Sequence, residues 1–163
     1  MKDSTTPIKR SQALIQFSRE HHFGLLLVWK MRQGLKENIE PIRISDYTIF
    51  IFENELREHF KQEEMELYSK LAINDSLKEQ AFLEHQQIYQ MVNNIQTDKQ
   101  NTELLKQFAD KLENHIRFEE RVLFAHLQQH FSEDELKKIE ETHNLRNNDM
   151  DEKWTNHFWG IKQ

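Results

Sequence analysis

The sequence predicts an all-α protein that folds as an up-down-up-down four-helix bundle, followed by a short fifth helix and a C-terminal tail. Chain breakers are rare, since the 163 residues include only three Gly and two Pro, and Glu, Lys, Gln and Leu are good helix formers. Apolar residues recur at steps of three and four along four long segments, which is the helical period. Short polar stretches separate these segments, as in antiparallel bundles.

The first helix is predicted from about Ser11 to Glu37, after the stretch STTP. One of its faces carries an apolar stripe that also includes a histidine, and this stripe consists of Leu14, Phe17, His21, Leu25 and Val28. Pro41 interrupts the helical pattern in the stretch NIEPIRI.

The second helix is predicted to begin at Ser45, which is a suitable N-cap, and to run to about Leu71. The inward face of this helix comprises Ile49, Phe52, Leu56, His59, Glu63 and Leu67. The stripe therefore contains two polar side chains at positions that otherwise belong to the core.

The third helix is predicted from a cap at Ser76 to about Ile95, and the fourth begins at a Thr102 cap. The third helix has an inward face formed by Phe82, His85, Ile88 and Val92. The stripe of the fourth helix comprises Leu104, Phe108, Leu112, His115, Glu119 and Val122.

The last part of the chain contains a capping-box pattern, SEDE, from Ser132 to Glu135, which predicts the start of the short fifth helix. The tail beyond it carries Trp154, Phe158 and Trp159, so we expect either a docked segment or a homodimer contact. The whole chain, 1–163, is predicted to be one domain, with the bundle at about 11–130 and the C-terminal helix and tail at about 132–163.

Composition excludes several classes of site and partner. The chain has no cysteine, so any metal has to be bound by histidine and carboxylate ligands. The net charge is −6 without a basic stripe, which argues against nucleic acid and anionic membranes as partners. The first residues lack the apolar segment of a signal peptide, and no apolar run reaches the length of a membrane span. A cytoplasmic location is therefore expected.

Two segments of the predicted bundle share one pattern, His-x-x-x-Glu-Glu followed by an apolar residue. They are HFKQEEMEL at His59–Leu67 and HIRFEERVL at His115–Leu123. Spacing alone is weak evidence in a Glu-rich chain. The position of the pattern is more informative, because each His and the Glu four residues later share the apolar face of a helix, where a carboxylate without a partner is very costly.

His21 and His85 lie on the inward stripes of the other two helices. Counting residues to the helix ends places all four histidines within about one helical turn of each other in height. Four imidazoles and two carboxylates are enough to bind two divalent ions, and the two carboxylates can bridge them. Such ligands favour iron or manganese, with zinc as an alternative, and they leave coordination positions free for oxide, hydroxide, O₂ or peroxide.

At these residues the sequence resembles the hemerythrin-like, or HHE cation-binding, family. The matching segments are REHHFGLL, HFKQEE, EHQQIY and HIRFEE, which span Arg19 to Glu120. The resemblance implies a four-helix bundle with a non-haem di-iron centre between the helices. The implied ligands are His21 or His22 together with His59, Glu63, His85, His115 and Glu119, and the two Glu would bridge the irons.

The sequence departs from the oxygen-carrying hemerythrins at two positions. Tyr89, where those proteins have a histidine, follows His85 at i+4, and Glu119 takes the place of their later aspartate. Both departures resemble a bacterial di-iron branch whose members are implicated in repair of iron centres and in oxidative or nitrosative stress responses. The resemblance therefore implies a protein other than a reversible oxygen carrier.

Several neighbouring residues admit a functional or a structural interpretation. We favour His21 over His22 as the ligand, because its face is apolar and Gly24, one turn on, leaves room for a metal. Tyr89 is interpreted as a core residue, with a redox role as the alternative. The His126-x-x-x-His130 pair is interpreted as structural rather than as a zinc site. Glu64 and Glu120 are placed at the surface or beside the ligands, with Arg117 or Arg121 as their partners.

Three functions are compatible with these observations. The first is a cytoplasmic di-iron protein that binds or reacts with a small diatomic or peroxide ligand, namely O₂, peroxide or nitric oxide, with metal-centred chemistry and no nucleophilic residue. The second is an iron or redox sensor, or an iron donor, that acts through a protein partner bound at the fifth helix and the tail. The third is a metal-free helical interaction module.

Overall fold

A computed structural model describes residues 9–143 and 158–159 of the chain. These residues form helices and no strands, so the all-α bundle predicted from the sequence is confirmed. In chain order the α-helices are α1 Gln12–Lys36, α2 Pro41–Ile51, α3 Arg57–Gln62, α4 Ser76–Thr97, α5 Thr102–Phe118, α6 Phe124–His130 and α7 Glu133–Thr142.

The second and fourth bundle helices each contain π-helical turns. The second consists of α2 and α3, with π-helical turns at Phe52–Leu56 and Glu63–Leu67 and a final 3₁₀ turn at Tyr68–Lys70. The fourth consists of α5 and α6 joined by a π-helical turn at Glu119–Leu123. A π-helical turn contains one more residue than an α-helical turn, so it shifts the positions that face inward by one residue.

This shift explains one wrong prediction about the core. The even helical period places Val122 on the inward stripe of the fourth helix, but Val122 is 44% exposed. Leu123 takes the inward position and is completely buried, because the π-helical turn at Glu119–Leu123 adds a residue to the register.

Three predicted N-caps differ from the observed ones. α2 begins at Pro41, a residue favoured in the first helical turn, and Ser45 is buried inside α2, where its hydroxyl donates to the carbonyl of Lys99. Asp75 caps α4 through the backbone N–H groups of Leu77 and Lys78, so Ser76 is the first helical residue.

Asn101 caps α5 by accepting a hydrogen bond from the N–H of Leu104, so the cap is again one residue before the predicted Thr102. Asp and Asn are at least as good in this position as Ser and Thr. Ser132 and Glu135 do form the predicted capping box at the start of α7.

The apolar core forms two clusters, and the polar centre lies between them. One cluster fills the end of the bundle around Phe52, Phe108 and Leu112. The other joins the N-terminal half of α1 to α6 and α7. Gly24 allows close contact between α1 and α5, because a Cβ there would come within 2.8 Å of Ile116 Cδ1. This glycine therefore makes room for a core side chain, and the sequence interpretation of it as space for a metal was wrong.

The part of the C-terminal tail that the structure describes is docked on the bundle. Phe158 is buried, its ring contacts that of Tyr47 and it lies against Gly34. Trp159 packs beside Tyr47 with the two rings tilted, and the ammonium of Lys30 lies 4.2 Å from the centre of the Trp159 ring. Trp154 lies outside the described residues.

Within residues 9–143 and 158–159, no helix combines the length and the apolar character needed to cross a bilayer.

The observed caps lead to a stability prediction for α4. Asp75→Ala removes a carboxylate that caps two N–H groups and also accepts a hydrogen bond from His126. It should lower the free energy of unfolding by about 1–2 kcal/mol in urea melts. The control is Ser76→Ala, in the exposed residue that the sequence favours as the cap; a larger effect of this change than of Asp75→Ala would contradict the assignment.

Candidate metal centre

The two similar segments take the same local structure around the polar centre. His59 is the third residue of the short helix α3, and the π-helical turn that follows begins at Glu63. His115 lies near the end of α5, and the next π-helical turn begins at Glu119. In both segments the His and the Glu are buried in the bundle interior. Such turns are frequent at functional sites, because they can aim a side chain without ending the helix.

Six buried side chains meet in two overlapping groups. In each group every residue offers a nitrogen or a carboxylate oxygen, and these atoms all lie within 4.8 Å of one another. One group contains His21 and His59, the other contains His85 and His115, and both include Glu63 and Glu119. The structure therefore brings together the six residues predicted from the sequence. The two groups are the two halves of the centre, and they share the carboxylates of Glu63 and Glu119.

Short distances join the histidine Nε2 atoms to the shared carboxylates. His59 Nε2 lies 2.9 Å and His21 Nε2 lies 3.1 Å from the same oxygen of Glu63, Oε2. The other oxygen, Oε1, lies 3.3 Å from His85 Nε2. Glu119 Oε1 lies 2.8 Å from His21 Nε2 and 3.5 Å from His115 Nε2. The two oxygens of Glu63 thus face different halves of the site.

Each of the four histidines has a second carboxylate at its other ring nitrogen. The Nδ1–oxygen distances are 2.6 Å for His21 and Glu120, 2.8 Å for His59 and Glu20, 2.6 Å for His85 and Glu64, and 2.6 Å for His115 and Glu84. A carboxylate accepts the Nδ1–H, so each bond fixes the tautomer and turns Nε2 toward the centre. This arrangement is typical of histidines that bind metals.

The partners of these histidines were only partly predicted. Glu64 and Glu120 do lie beside the predicted ligands, but their partners are imidazoles rather than Arg117 or Arg121. Glu120 also binds Arg10, and Arg117 pairs with Glu113 instead. The reason is that the side chain of the Glu after each shared carboxylate points toward a neighbouring helix of the bundle rather than along its own helix.

Sequence reasoning missed Glu20 and Glu84 as partners of the histidines. A signal was present, because each directly precedes a predicted ligand, in the Glu-His pairs of α1 and α4. Neither Glu contacts the histidine beside it. Glu20 binds His59, and Glu84 binds His115, each on a neighbouring helix.

The choice between His21 and His22 agrees with the geometry. His21 is 3% exposed and its two ring nitrogens contact carboxylates at the centre, whereas His22 is exposed to solvent. His126 is bonded to the capping carboxylate of Asp75 at 2.6 Å, and His130 Nδ1 donates to the carbonyl of His126. These bonds agree with a structural role for the His126–His130 pair.

A tyrosine that the sequence reasoning did not single out touches both shared carboxylates. The hydroxyl of Tyr68 donates to Glu119 Oε2 and lies 3.3 Å from Glu63 Oε1. Tyr89, the tyrosine noticed in the sequence, packs against Phe60, and its ring centre is 6.5 Å from that of His85.

A buried branch of the hydrogen-bonded network leads from His59 to the C-terminal end of α7. Glu20 accepts from His59 Nδ1 and also lies 3.1 Å from Nε2 of His143. The other nitrogen of His143 is 3.4 Å from Glu66, and its ring stacks on Phe17 at 4.0 Å. His143, the C-cap of α7, is thus connected to the polar centre by hydrogen bonds.

The two shared carboxylates ionise differently because they lie close together. Burial alone would raise the pKa of Glu63, but the charge of His59 and hydrogen bonds from histidines hold that pKa well below its ordinary value. Burial and the charge of Glu63 raise the pKa of Glu119 well above its ordinary value. Two like charges this close in the interior favour a single negative charge on the pair in the absence of a cation.

The histidines also differ from one another. Burial lowers the pKa of His115 to about 4, so its imidazole is neutral at pH 7. Burial acts on His59 in the same direction, but the charge of Glu63 and the hydrogen bond to Glu20 outweigh it and raise the pKa of His59 to about 9. His59 is therefore protonated at pH 7 when no cation is present.

The residues fit a metal site by their unsatisfied donors and by their chemistry. The Nε2 atoms of His59, His85 and His115 are buried, and within the described residues they lie near shared carboxylate oxygens without forming well-aligned hydrogen bonds. Such poorly satisfied buried atoms are unfavourable, and a cation bound by their lone pairs would relieve this cost. Each half offers two imidazoles and two carboxylate groups, a donor set suited to divalent transition metals.

Comparison with protein families adds an independent observation. The model of the hemerythrin HHE cation binding domain matches residues 14–127, which include all six clustered side chains. The chain belongs to the hemerythrin HHE cation-binding family. No curated protein and no solved structure matches it. The hemerythrin domain binds metal cations, and in this chain the buried His and Glu groups could hold them.

The carboxylates behind the histidines lead to a prediction about this hemerythrin domain. Glu84→Gln keeps an acceptor for His115 Nδ1–H but removes the negative charge that makes the imidazole a better donor. The fold should persist, and metal affinity should fall by about 10–100-fold in a competition titration with a chelator. Glu79→Gln, at an exposed position of the same helix, is the matched control. Equal affinities for the two variants would contradict the role given to Glu84.

The protonation of His59 leads to a prediction about pH. Its pKa is raised to about 9 in the folded protein, so its stabilising contribution without metal is complete below about 6.5 and is lost as pH rises through about 9. A metal has to displace this proton. Metal binding should therefore release protons at pH 7, and affinity should rise up to about pH 9.

Thermal melts with and without metal across this pH range, together with proton release into weak buffer, provide the measurement. His22→Gln, which changes an exposed histidine, should leave the profile unchanged. Affinity that is constant over this range would contradict a metal bound at His59.

Proposed function

We propose that this hemerythrin domain is a non-haem di-iron protein that binds or reacts with a small oxidant such as O₂, peroxide or nitric oxide. The observation that supports the proposal most directly is the pair of overlapping groups that share Glu63 and Glu119. In this proposal His21 and His59 would hold one ion, His85 and His115 would hold the other, and Glu63 and Glu119 would be available to both. The ions would supply redox chemistry and open coordination positions.

The protein supplies the ligands, their orientation and a dry environment. The four Nδ1 bonds to carboxylates hold the imidazoles with Nε2 inward before any ion arrives, which reduces the reorganisation needed for binding. Apolar side chains on both sides separate the centre from solvent, since Phe60 stacks on His85 at 4.0 Å and Phe124 on His21 at 5.4 Å.

The charges also support two divalent ions. Six carboxylates surround the centre, two of them shared and four behind the histidines. Buried charges of one sign are stable only beside charges of the other sign. Two divalent cations with neutral imidazoles would supply four positive charges. Without metal, the proton on His59 and the raised pKa of Glu119 offset only part of the negative charge, since His115 is neutral at pH 7.

The alternative of a sensor or iron donor that acts through a protein partner requires an accessible contact surface on the fifth helix and the tail. In the described part of the tail, Phe158 is buried against the bundle and contributes to its core. No observation here favours the alternative over the first proposal. Turnover of peroxide separates the two, because a sensor or donor would react without repeated turnover.

The proposal is tested by the metal content of the protein purified from iron-supplemented cells. Mass spectrometry should find about two irons per chain, and the visible spectrum should show the near-ultraviolet absorption of bridged ferric ions. Zinc or manganese at the same stoichiometry would preserve the site and contradict the redox function. A folded protein without metal would contradict both.

Single substitutions should distinguish the two halves. Glu119→Ala removes a shared ligand, so it should lower the content of both ions, whereas His59→Ala should chiefly remove the ion bound with His21. Both variants leave buried groups without partners and should lower the melting temperature. His22→Ala, at the exposed neighbour of His21, is the control. Unchanged stoichiometry in Glu119→Ala would defeat the proposed site.

A further inference from the structure

The two halves of the centre are related by sequence as well as by geometry. Residues 59–71 read HFKQEEMELYSKL and residues 115–127 read HIRFEERVLFAHL, so His, both Glu and two Leu coincide. The contacts follow the same correspondence. Glu20 binds His59 as Glu84 binds His115, and the Glu after each shared carboxylate binds the histidine of a neighbouring helix.

One position beside the shared carboxylates breaks this correspondence. Tyr68 in the first segment stands where the second has Phe124, and both side chains are completely buried. The ring of Phe124 stacks on His21 with centres 5.4 Å apart, and the ring of Tyr68 lies 5.5 Å from that of His85. Each aromatic ring therefore belongs to a different half, and only the ring beside His85 carries a hydroxyl.

The hydroxyl of Tyr68 contacts both shared carboxylates, and at Glu63 it contacts the oxygen that is turned toward its own half. It lies 3.3 Å from Glu63 Oε1, which is the oxygen near His85, whereas Glu63 Oε2 faces His21 and His59. It also donates a hydrogen bond to Glu119 Oε2, which holds this carboxylate with Oε1 between His21 and His115.

A hydrogen bond of this kind holds a ligand oxygen in its binding position. A carboxylate that bridges two ions has to keep both oxygens oriented, and a carboxylate free to rotate loses affinity for the ions. Tyr68 restrains the Glu63 oxygen on the His85 side, while Phe124 can give no such restraint on the His21 side. The ligand oxygens of the two halves are therefore not held equally.

We propose that Tyr68 is a positioning residue that sets the order of metal loading in the proposed two-ion centre. By orienting one oxygen each of Glu63 and Glu119, it makes the half with His85 and His115 the tighter position. This half fills first and empties last, and the half with His21 and His59 exchanges its ion more readily. The inference rests on the proposed binding of two ions, but it does not depend on iron or on any reaction with an oxidant.

The test uses cadmium as the probe, because NMR of bound cadmium gives a separate signal for each ion and couplings to imidazole protons assign it to its half. In the full-length wild type, substoichiometric cadmium should give mainly the signal of the His85/His115 half. Release to excess EDTA should show two phases, with the slower one from this half. Tyr68→Phe should speed release from this half by about tenfold or more and leave the other phase unchanged.

Two further variants separate positioning from general effects on the fold. Tyr89→Phe also removes a tyrosine hydroxyl, from a ring whose centre lies 6.5 Å from that of His85, and it should leave both phases as in the wild type. Phe124→Tyr adds a hydroxyl in the equivalent place beside His21, and it should slow release from that half. This gain would not follow if Tyr68 only filled space in the core.

The outcomes distinguish this inference from the proposed function. Fewer than two cadmium ions per chain in the wild type would overturn the two-ion centre and the inference with it. Two ions whose release is unchanged in Tyr68→Phe, or is accelerated equally from both halves, would overturn the inference and leave the two-ion centre standing. An increase confined to the His85/His115 half supports it.

Discussion

The close approach of two buried carboxylates, Glu63 and Glu119, is the constraint on which the rest of the centre depends. Both are fully shielded from water, and isolated carboxylates in such an environment would be strongly unfavourable. Four imidazoles around them offset this cost, and each imidazole in turn needs an acceptor at Nδ1. The second set of carboxylates, Glu20, Glu64, Glu84 and Glu120, supplies these acceptors. A polar network of this size tolerates few gaps, because a half-satisfied one destabilises the fold.

The helical frame has to satisfy this network without losing its apolar core, and the π-helical turns allow both. Each turn that begins at a shared Glu aims this carboxylate at the centre. Leu67 and Leu123, four residues after these carboxylates, are fully buried in the interior. The π-helical turns change the register of the residues that follow, as the burial of Leu123 in place of Val122 shows.

The sequence predicted the fold and the six clustered residues because both depend on helical periodicity, which tolerates small errors in helix ends. The predicted caps, Ser76 and Thr102, each lie one residue after the observed caps, Asp75 and Asn101. Several neighbouring residues in each loop can accept the same hydrogen bonds, so the sequence does not fix the cap to one residue. The partners of the histidines could not be read from the sequence, because each lies on a different helix and depends on how the helices are rotated. His143 was missed for the same reason, as only the docking of α7 brings it to Glu20.

The similarity of the two halves makes their differences informative. In a centre with identical halves, two ions of the same metal would bind with the same intrinsic affinity and exchange at the same rate. Tyr68 differs from Phe124 beside the shared carboxylates. Further out, Glu20 is bonded to the buried His143, whereas the equivalent Glu84 accepts a hydrogen bond from Gln80 at an exposed position. The first difference acts on the ligands of the His85 half, and the second supports a carboxylate of the His21 half. The fold therefore stabilises each half by a different interaction, which is the physical condition for two neighbouring ions to play different parts.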